Sequence, residues 1–336
     1  NNSYRLGGHE APPAIISVFL GSYLTAMLEE VASKVTDKKM TPQEKTEIKL
    51  GIGRIPEILL DNTDRNRTSP FAFTGNRFEF RAVGSSANCS SPMIVLNSAV
   101  ARQLNIFLGE VNKLIDKGTK KDEAIFQILK KYIIDSERIR FDGDGYSEEW
   151  HKEAVKRGLS DESSVPKSLK AYLSDTAKKT LVETGTLTVR ELESRVEVEL
   201  EKFTKKVQIE SRVLGDLAIN HIVPTAVVYM TTLIDNIKGL KDIFDNNEYT
   251  RLAGARKELI VNISDNISMI KKLVNEMTEE RKKANVIEDL YKKSIAYETH
   301  VKPYLAQIRY HIDKLELVVD NELWPLPKYR ELLFTR

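Results

Sequence analysis

The residues with the most evident chemical potential lie in a strand predicted over residues 76–83. Arg77, Glu79 and Arg81 alternate there with phenylalanines. Because successive side chains of a strand point to opposite faces, the charged residues share one face, and we expect the aromatic face to pack into a core. If the charged row lines a closed cavity, a ligand that carries metal and phosphate would compensate it. The strand alone favours an exposed row, which amounts to solvated ion pairs of little energetic value.

A second group of candidates lies in the polar loop that leads into this strand, where Arg65 and Arg67 flank Asn66. Arginine suits phosphate because its planar guanidinium stays charged and donates two parallel hydrogen bonds. A pair of loop arginines is usually solvated surface. Two arginine-bearing segments that converge on one carboxylate are a stronger indication of a phosphate site.

Glu10 is the third candidate. Two glycines, Gly7 and Gly8, precede it, and Pro12 and Pro13 follow it. This arrangement would hold a carboxylate on a mobile flap that hinges against a rigid helix start. The alternative is an acidic residue that simply favours the dipole of the following helix. The sequence supports both interpretations equally.

The elements that must position these residues change in character along the chain. Before residue 140 we predict a buried helix over 13–34, a polar loop over 61–75, and helices over 91–117 and 122–135. The Asp-Gly-Asp-Gly segment at 142–145 does not match the full pattern of a calcium-binding loop, and we predict a plain turn there. Residues 147–188 are predicted to form short helices.

Beyond Thr188 the apolar residues recur with alternating spacings of three and four, which indicates amphipathic helices. Such stripes are typical of an antiparallel helical bundle. The predicted core stripes are Val196, Leu200, Phe203 and Val207; Leu259, Ile263, Ile267, Ile270, Leu273 and Met277; and Val301, Leu305, Ile308, Ile312, Leu315 and Val319.

Composition limits the class of protein. The 336 residues are 41% hydrophobic and 30% charged, with a net charge of +2, so a disordered chain is excluded and no basic excess points to nucleic acid or an anionic membrane. The single cysteine, Cys89, excludes an intrachain disulfide and fits a reducing cytosol. The uncharged segment 11–28 reaches the lower length limit of a membrane span, but its prolines and polar residues favour a buried helix. We expect a cytoplasmic protein without nucleic-acid or membrane partners.

Several motifs along the chain occur in the same order as in a known protein family. They resemble the second half of a glutamine synthetase, specifically the large type III bacterial enzymes. The matching segments are residues 2–15, 64–81, 83–88, 209–226, 309–317 and 323–334.

The resemblance implies roles for the residues outside the strand. Glu10 matches a flap glutamate that closes the glutamate site and takes a proton from bound ammonium. Arg5 matches a flap arginine that helps to hold substrate glutamate. Arg67 matches an arginine that contacts the transferring phosphate.

The resemblance also implies that the charged row of the strand faces a lumen that holds metal and phosphate. Glu79 matches a metal ligand, Arg77 a nucleotide-binding arginine, and Arg81 an arginine that meets glutamate or γ-glutamyl phosphate. One departure concerns the neutralisation of phosphate, because smaller glutamine synthetase classes carry an arginine where this chain has Ala72.

The implied fold class is α+β. We expect the C-terminal half of a catalytic barrel domain over 1–140, a helical insertion over 141–188 and a long helical bundle over 189–336. The implied activity is ATP-dependent synthesis of glutamine from glutamate and ammonium, with Mg²⁺ or Mn²⁺, in a homododecamer of two hexameric rings. We expect the chain to be a fragment that lacks the upstream metal ligands and the N-terminal β-grasp domain. The alternative is a catalytically silent relative whose bundle serves assembly or partner binding.

Overall fold

The computed structural model describes residues 15–33, 69–75, 77–82 and 88–333. These residues are mostly helical, with one small sheet. The chain divides into two compact units, Asn1–Glu193 and Ser194–Arg336. The domain boundaries expected from the sequence stay a prediction.

The sheet has three short strands in the order β1 (Val18–Phe19), β2 (Phe71–Phe73) and β3 (Phe78–Phe80). β1 pairs with β2 in parallel, and β2 pairs with β3 in antiparallel fashion. The strand predicted over 76–83 is confirmed at its centre. The polar loop predicted over 61–75 is wrong at β2, because two phenylalanines there pack on β3 and their backbone joins the ladder.

The helix predicted over 13–34 is only partly confirmed. Within that range Val18–Phe19 form β1, and the helix α1 extends over Ser22–Ser33. Gly21 separates the two with φ +87°, a left-handed conformation that glycine adopts without a steric penalty. No residue of α1 is fully buried, so the prediction of a mostly buried helix is wrong.

The remaining helices of the first unit agree with the sequence pattern, including the two long helices predicted before residue 140 and the short ones after it. They are α2 (Ser90–Asp116), α3 (Lys121–Asp135), α4 (Glu148–Lys156), α5 (Val165–Lys170), α6 (Asp175–Leu181) and the start of α7 (Val189–Leu217).

Serine caps explain why the short helices begin where they do. The hydroxyls of Ser147, Ser164 and Ser174 each accept a hydrogen bond from a backbone N–H of the first helical turn. Around α4, a small core forms from Ile15, Trp150 and Ala154 with Phe141 and Leu159 packed against it. The Phe141 and Trp150 rings stack with centroids 3.8 Å apart.

The second unit is a helical bundle that contains most of α7 and four further helices. These are α8 (Val223–Ile243), α9 (Asn246–Asn285), α10 (Leu290–Ala296) and α11 (Lys302–Val318), followed by the short α12 (Tyr329–Leu333). The long helix α9 packs against α8 and α11. The predicted stripes form its core, since most of their residues are buried and Val207, Ile263, Ile270, Ile308 and Leu315 are fully so.

Two π-helical turns, Ala218–Ile222 and Tyr297–Val301, interrupt the bundle helices. Each is followed by a proline, Pro224 or Pro303, in the first turn of the next helix. Because proline has no N–H and its ring crowds the carbonyl of the residue four positions earlier, the wider turn absorbs a break in the hydrogen-bond ladder.

Within the part of the chain that the structure describes, one helical run, Val189–Ile243, is long and apolar enough to cross a membrane. Length and composition alone give this result, and core helices of soluble proteins meet the same criteria. The buried residues Ala218, Ile222 and Ala226 place one stripe of its most apolar part in the bundle core. The expectation of no membrane partner stays a prediction.

Candidate active site

The β2–β3 hairpin positions the charged row. At its tip, the Thr74 N–H donates a hydrogen bond to the Arg77 carbonyl over 2.9 Å, and Gly75 adopts φ +96°. At its open end, the Arg81 N–H donates to the Pro70 carbonyl over 2.7 Å. The backbone before and after Glu79 is therefore fixed by hydrogen bonds.

The three charged side chains form one ion-paired row, with Glu79 at its centre. Arg81 donates from Nε and Nη2 to Glu79 Oε2 over 3.2 and 3.0 Å. Arg77 Nε lies 3.7 Å from the other oxygen, Oε1. The side chains are 71%, 38% and 18% exposed in the order Arg77, Glu79, Arg81. Arg77 is therefore exposed to solvent, whereas Arg81 is largely covered. This arrangement is intermediate between the fully exposed row and the row inside a closed cavity that the sequence left open.

The prediction that the aromatic face of the hairpin packs into a core is wrong at Phe78. Phe78 is 48% exposed, so it is not packed into a core within the described structure. Its ring stacks instead on Phe71 of β2, with centroids 5.0 Å apart, and lies at the same distance from Phe73. A hairpin of three-residue strands has too little surface to bury this face by itself.

Ala72 is the direct cross-strand partner of Glu79 and is completely buried. Side chains of directly paired residues lie about 5 Å apart on the same face. An arginine at position 72 would therefore lie beside the Glu79 carboxylate. The departure noted in the sequence is thus located at the charged row itself, where Arg77 and Arg81 are the cations of the hairpin.

Three predicted site residues, Arg5, Glu10 and Arg67, lie outside the described residues. Their convergence on Glu79 stays a prediction. Among the residues that the structure describes, no group of three or more His, Cys, Asp or Glu side chains could hold a metal ion. Glu79 fits as one oxygen ligand for Mg²⁺ or Mn²⁺, but the described residues do not build a complete metal centre.

Asp142 is a positioning residue that the sequence did not reveal. Its Oδ1 accepts hydrogen bonds from the backbone N–H groups of Leu20 and Gly21 over 3.0 and 2.9 Å. Its Oδ2 accepts from Thr25 Oγ1 over 2.6 Å. The carboxylate therefore caps the start of α1 from a turn about 120 residues away. No local sequence signal reports a contact of this range.

Known proteins are similar to this chain in sequence. The family model "Glutamine synthetase C-terminal domain" matches residues 124–241. This part of the chain is therefore similar to a glutamine synthetase C-terminal domain. The matched region begins in α3, includes the short helices and the π-helical turn after α7, and ends in α8.

Glutamine synthetases also match nearly every residue of the chain. A glutamine synthetase of Bacteroides fragilis is 61% identical over 335 residues, which are 100% of this chain and 46% of the relative. A type-3 glutamine synthetase of Dictyostelium discoideum is 33% identical and a glutamine synthetase of Butyrivibrio fibrisolvens 31%, over 100% and 99% of this chain and 45% and 46% of each relative. The predicted resemblance to type III glutamine synthetases is confirmed. The chain spans slightly less than half the length of these relatives.

Proposed function

We propose that this chain supplies the C-terminal part of a type III glutamine synthetase. The reaction is glutamate–ammonia ligation, a step of nitrogen assimilation: ATP phosphorylates glutamate to γ-glutamyl phosphate, and ammonia displaces phosphate to give glutamine. The names of the relatives and the matched domain support the family. The observation that carries the chemistry is the Arg77–Glu79–Arg81 row, held by a hairpin and partly covered.

Phosphoryl transfer requires positioning and neutralisation of the charge on the phosphate oxygens. Arg81 holds Glu79 through Oε2, and among the described residues Oε1 has one ion-pair contact, with Arg77 Nε at 3.7 Å. Glu79 would hold Mg²⁺ or Mn²⁺, with Oε1 as the less engaged oxygen, and the bound metal would supply positive charge to the nucleotide phosphates. Arg77, the most exposed of the three, meets the nucleotide, and Arg81 meets glutamate or its phosphorylated form.

The remaining parts of the proposal rest on the family resemblance. Glu10 takes a proton from ammonium, Arg5 holds glutamate, and Arg67 contacts the transferring phosphate. We propose a cytoplasmic homododecamer of two hexameric rings, and the lone cysteine, Cys89, which is free and exposed, supports the compartment.

The test is Glu79→Gln in the complete enzyme, which keeps the side chain's shape but removes its charge. We expect metal affinity and nucleotide affinity to fall together, with a large loss of glutamine formation. Glu153→Gln is the matched control. Glu153 is 46% exposed and accepts a hydrogen bond from Arg157 Nε over 3.0 Å, much as Glu79 does from Arg81. Normal activity with normal metal dependence in Glu79→Gln would reject the assignment.

A catalytically silent relative that serves assembly or partner binding is the second candidate. It is less favoured because Glu10, Arg67, Glu79 and Arg81 are all retained, although a silent site could lose any of them. Glutamine formation by the complete wild-type protein separates the two. A protein that assembles and binds nucleotide but shows no turnover would favour the silent relative.

A further inference from the structure

Arg140 occupies a position at the edge of the sheet. Its backbone forms a parallel bridge with Val18, and the next residue, Phe141, donates its N–H to the Val18 carbonyl over 3.0 Å. The Arg140 N–H donates to the Glu137 carbonyl, and its own carbonyl accepts from Arg157 Nη1, both over 3.1 Å. The main chain of Arg140 is therefore fully hydrogen-bonded and its place in the fold is well defined.

The side chain of Arg140, in contrast, has two nitrogen atoms without hydrogen-bond partners among the described residues. The residue is only 9% exposed, and its Nε and Nη1 atoms are buried without a hydrogen-bond partner among the described residues. A guanidinium remains charged at every physiological pH. Burial of an unpaired charge is strongly unfavourable, so buried guanidinium groups are normally paired with an anion.

Other arginines of the same unit show what a paired guanidinium looks like here. Arg81 contacts Glu79 at 3.0 Å, and Arg157 contacts Glu153 at the same distance. Both of these arginines are more exposed than Arg140, so they need their partners less. Among the described residues, Arg140 is the only charged side chain buried to this degree.

The strand register places Arg140 away from the candidate active site. Arg140 aligns with Val18, Val18 with Phe71, and Phe71 with Phe80. Directly aligned residues project to the same face of a sheet, and their sequence neighbours project to the other. Arg140 therefore belongs to the aromatic face, whereas Glu79 and its two arginines lie on the opposite face.

We propose that Arg140 binds a small oxyanion, of which inorganic phosphate is the test ligand, at a site separate from the Arg77–Glu79–Arg81 row. A tetrahedral or planar oxyanion accepts charge-assisted hydrogen bonds from a guanidinium. Bound there, it neutralises the buried charge where residues 137–141 join β1. Without it, the unpaired guanidinium destabilises that junction.

The experiment follows thermal unfolding of the full chain as sodium phosphate is titrated against sodium chloride at constant ionic strength. We expect a saturable rise in Tm of a few degrees in phosphate, because a ligand that binds only the folded state stabilises it. Arg140→Met should abolish the phosphate-dependent rise. Without phosphate it should be at least as stable as the wild type, since it removes a buried unpaired charge.

Two controls locate the effect. Arg138→Met removes an exposed arginine two residues away and should leave the phosphate response intact. Arg81→Met removes a cation of the opposite face, and it should also retain the response if phosphate binds at Arg140. Arg140→Lys keeps the charge but loses the planar fork, and calorimetric titration should show at least several-fold weaker phosphate binding.

The outcomes separate clearly. A phosphate response that persists in Arg140→Met, or that disappears in Arg81→Met alone, would overturn the site. No response in the wild-type chain would do the same. If Arg140→Met fails to fold while Arg140→Lys binds phosphate like the wild type, the guanidinium has a structural partner and the proposal is wrong.

Discussion

The cap that Asp142 places on α1 leads to a quantitative prediction for the first unit. Three donors meet this carboxylate, two backbone N–H groups at Leu20 and Gly21 and the hydroxyl of Thr25. Asp142→Ala removes all three hydrogen bonds and the negative charge at the helix start. Because two of the three donors are the N–H groups of Leu20 and Gly21, we expect the loss to appear as local opening around Leu20.

The magnitude follows from the contacts and the exposure. A hydrogen bond to a charged group contributes about 1.5–3 kcal/mol when buried, and a charge at a helix start about 0.3–1 kcal/mol. Asp142 is exposed, so solvent competes for the carboxylate and the bonds do not add fully. We expect Asp142→Ala to lower the free energy of local opening by about 1–3 kcal/mol, which corresponds to roughly 5- to 150-fold faster amide exchange.

The assay is hydrogen exchange resolved at Leu20, Gly21 and the first turn of α1. Asp144→Ala is the matched control, since Asp144 lies in the same turn and is exposed, but its carboxylate accepts a bond from the local Tyr146 N–H over 2.9 Å. Fluorescence of Trp150 reports whether the whole unit unfolds instead. Unchanged exchange at Leu20 and Gly21, or an equal change in Asp144→Ala, would refute the reasoning.

Three further predictions concern the site, the α2–α3 pair and the bundle. Glu10→Ala in the complete enzyme should still release ADP in the presence of glutamate but make glutamine about 10²–10⁴-fold more slowly, because only the ammonia step needs the base; equal, near-normal yields of both products would remove Glu10 from the catalytic residues. The hydrogen bond from Tyr132 holds the pKa of Glu110 below its usual value. The ionised Glu110 therefore stabilises the fold at pH values above its pKa in the unfolded chain, and this stabilisation is lost as the pH falls through its lower pKa in the folded protein. Burial, together with the hydrogen bond to Glu110, raises the pKa of Tyr132 from 10.0 to about 12, so the neutral Tyr132 stabilises the fold below pH 10.0 and this stabilisation is lost as the pH rises toward about 12. Tyr132→Phe should therefore flatten both the acidic and the alkaline decline of stability measured by urea unfolding as a function of pH. An unchanged pH profile would contradict this. Ile308→Ala, at a fully buried position of α11, should destabilise the bundle by about 2–5 kcal/mol in urea unfolding followed by circular dichroism, whereas Leu317→Ala, at an 80% exposed position, should change little.

The bundle was predictable because its information is local. In an α-helix, residues three and four apart lie on one face, so a run such as Val301, Ile308, Ile312 and Leu315 defines a core stripe without knowledge of what covers it. All four of these residues are buried. The π-helical turns were not anticipated, although prolines at the start of α8 and α11 mark them, because a proline inside a helical pattern is equally compatible with a kink or a helix boundary.

The sheet shows the opposite case. β1 and β2 are two and three residues long, too short for an alternating pattern to stand out from a loop. They exist because Val18 aligns with Phe71, more than fifty residues later in the chain, and because Phe71 aligns with Phe80. Propensity could not supply this pairing. The same reason explains the error over Phe78, whose surroundings depend on segments beyond its own hairpin.

The candidate site combines both kinds of information, and this determines which of its features a sequence can yield. The Arg77–Glu79–Arg81 row needs only the two-residue period of a strand, so its members and their shared face were predictable. Where the row lies depends on an uninterrupted series of pairings that runs from the bridge at Arg140 through β1 and β2 to β3. Strands this short are stable only together. The segment that contains Arg140 and Asp142 therefore supports the strand that carries Glu79 from the far edge of the sheet, although nothing in its own sequence indicates a connection to Glu79.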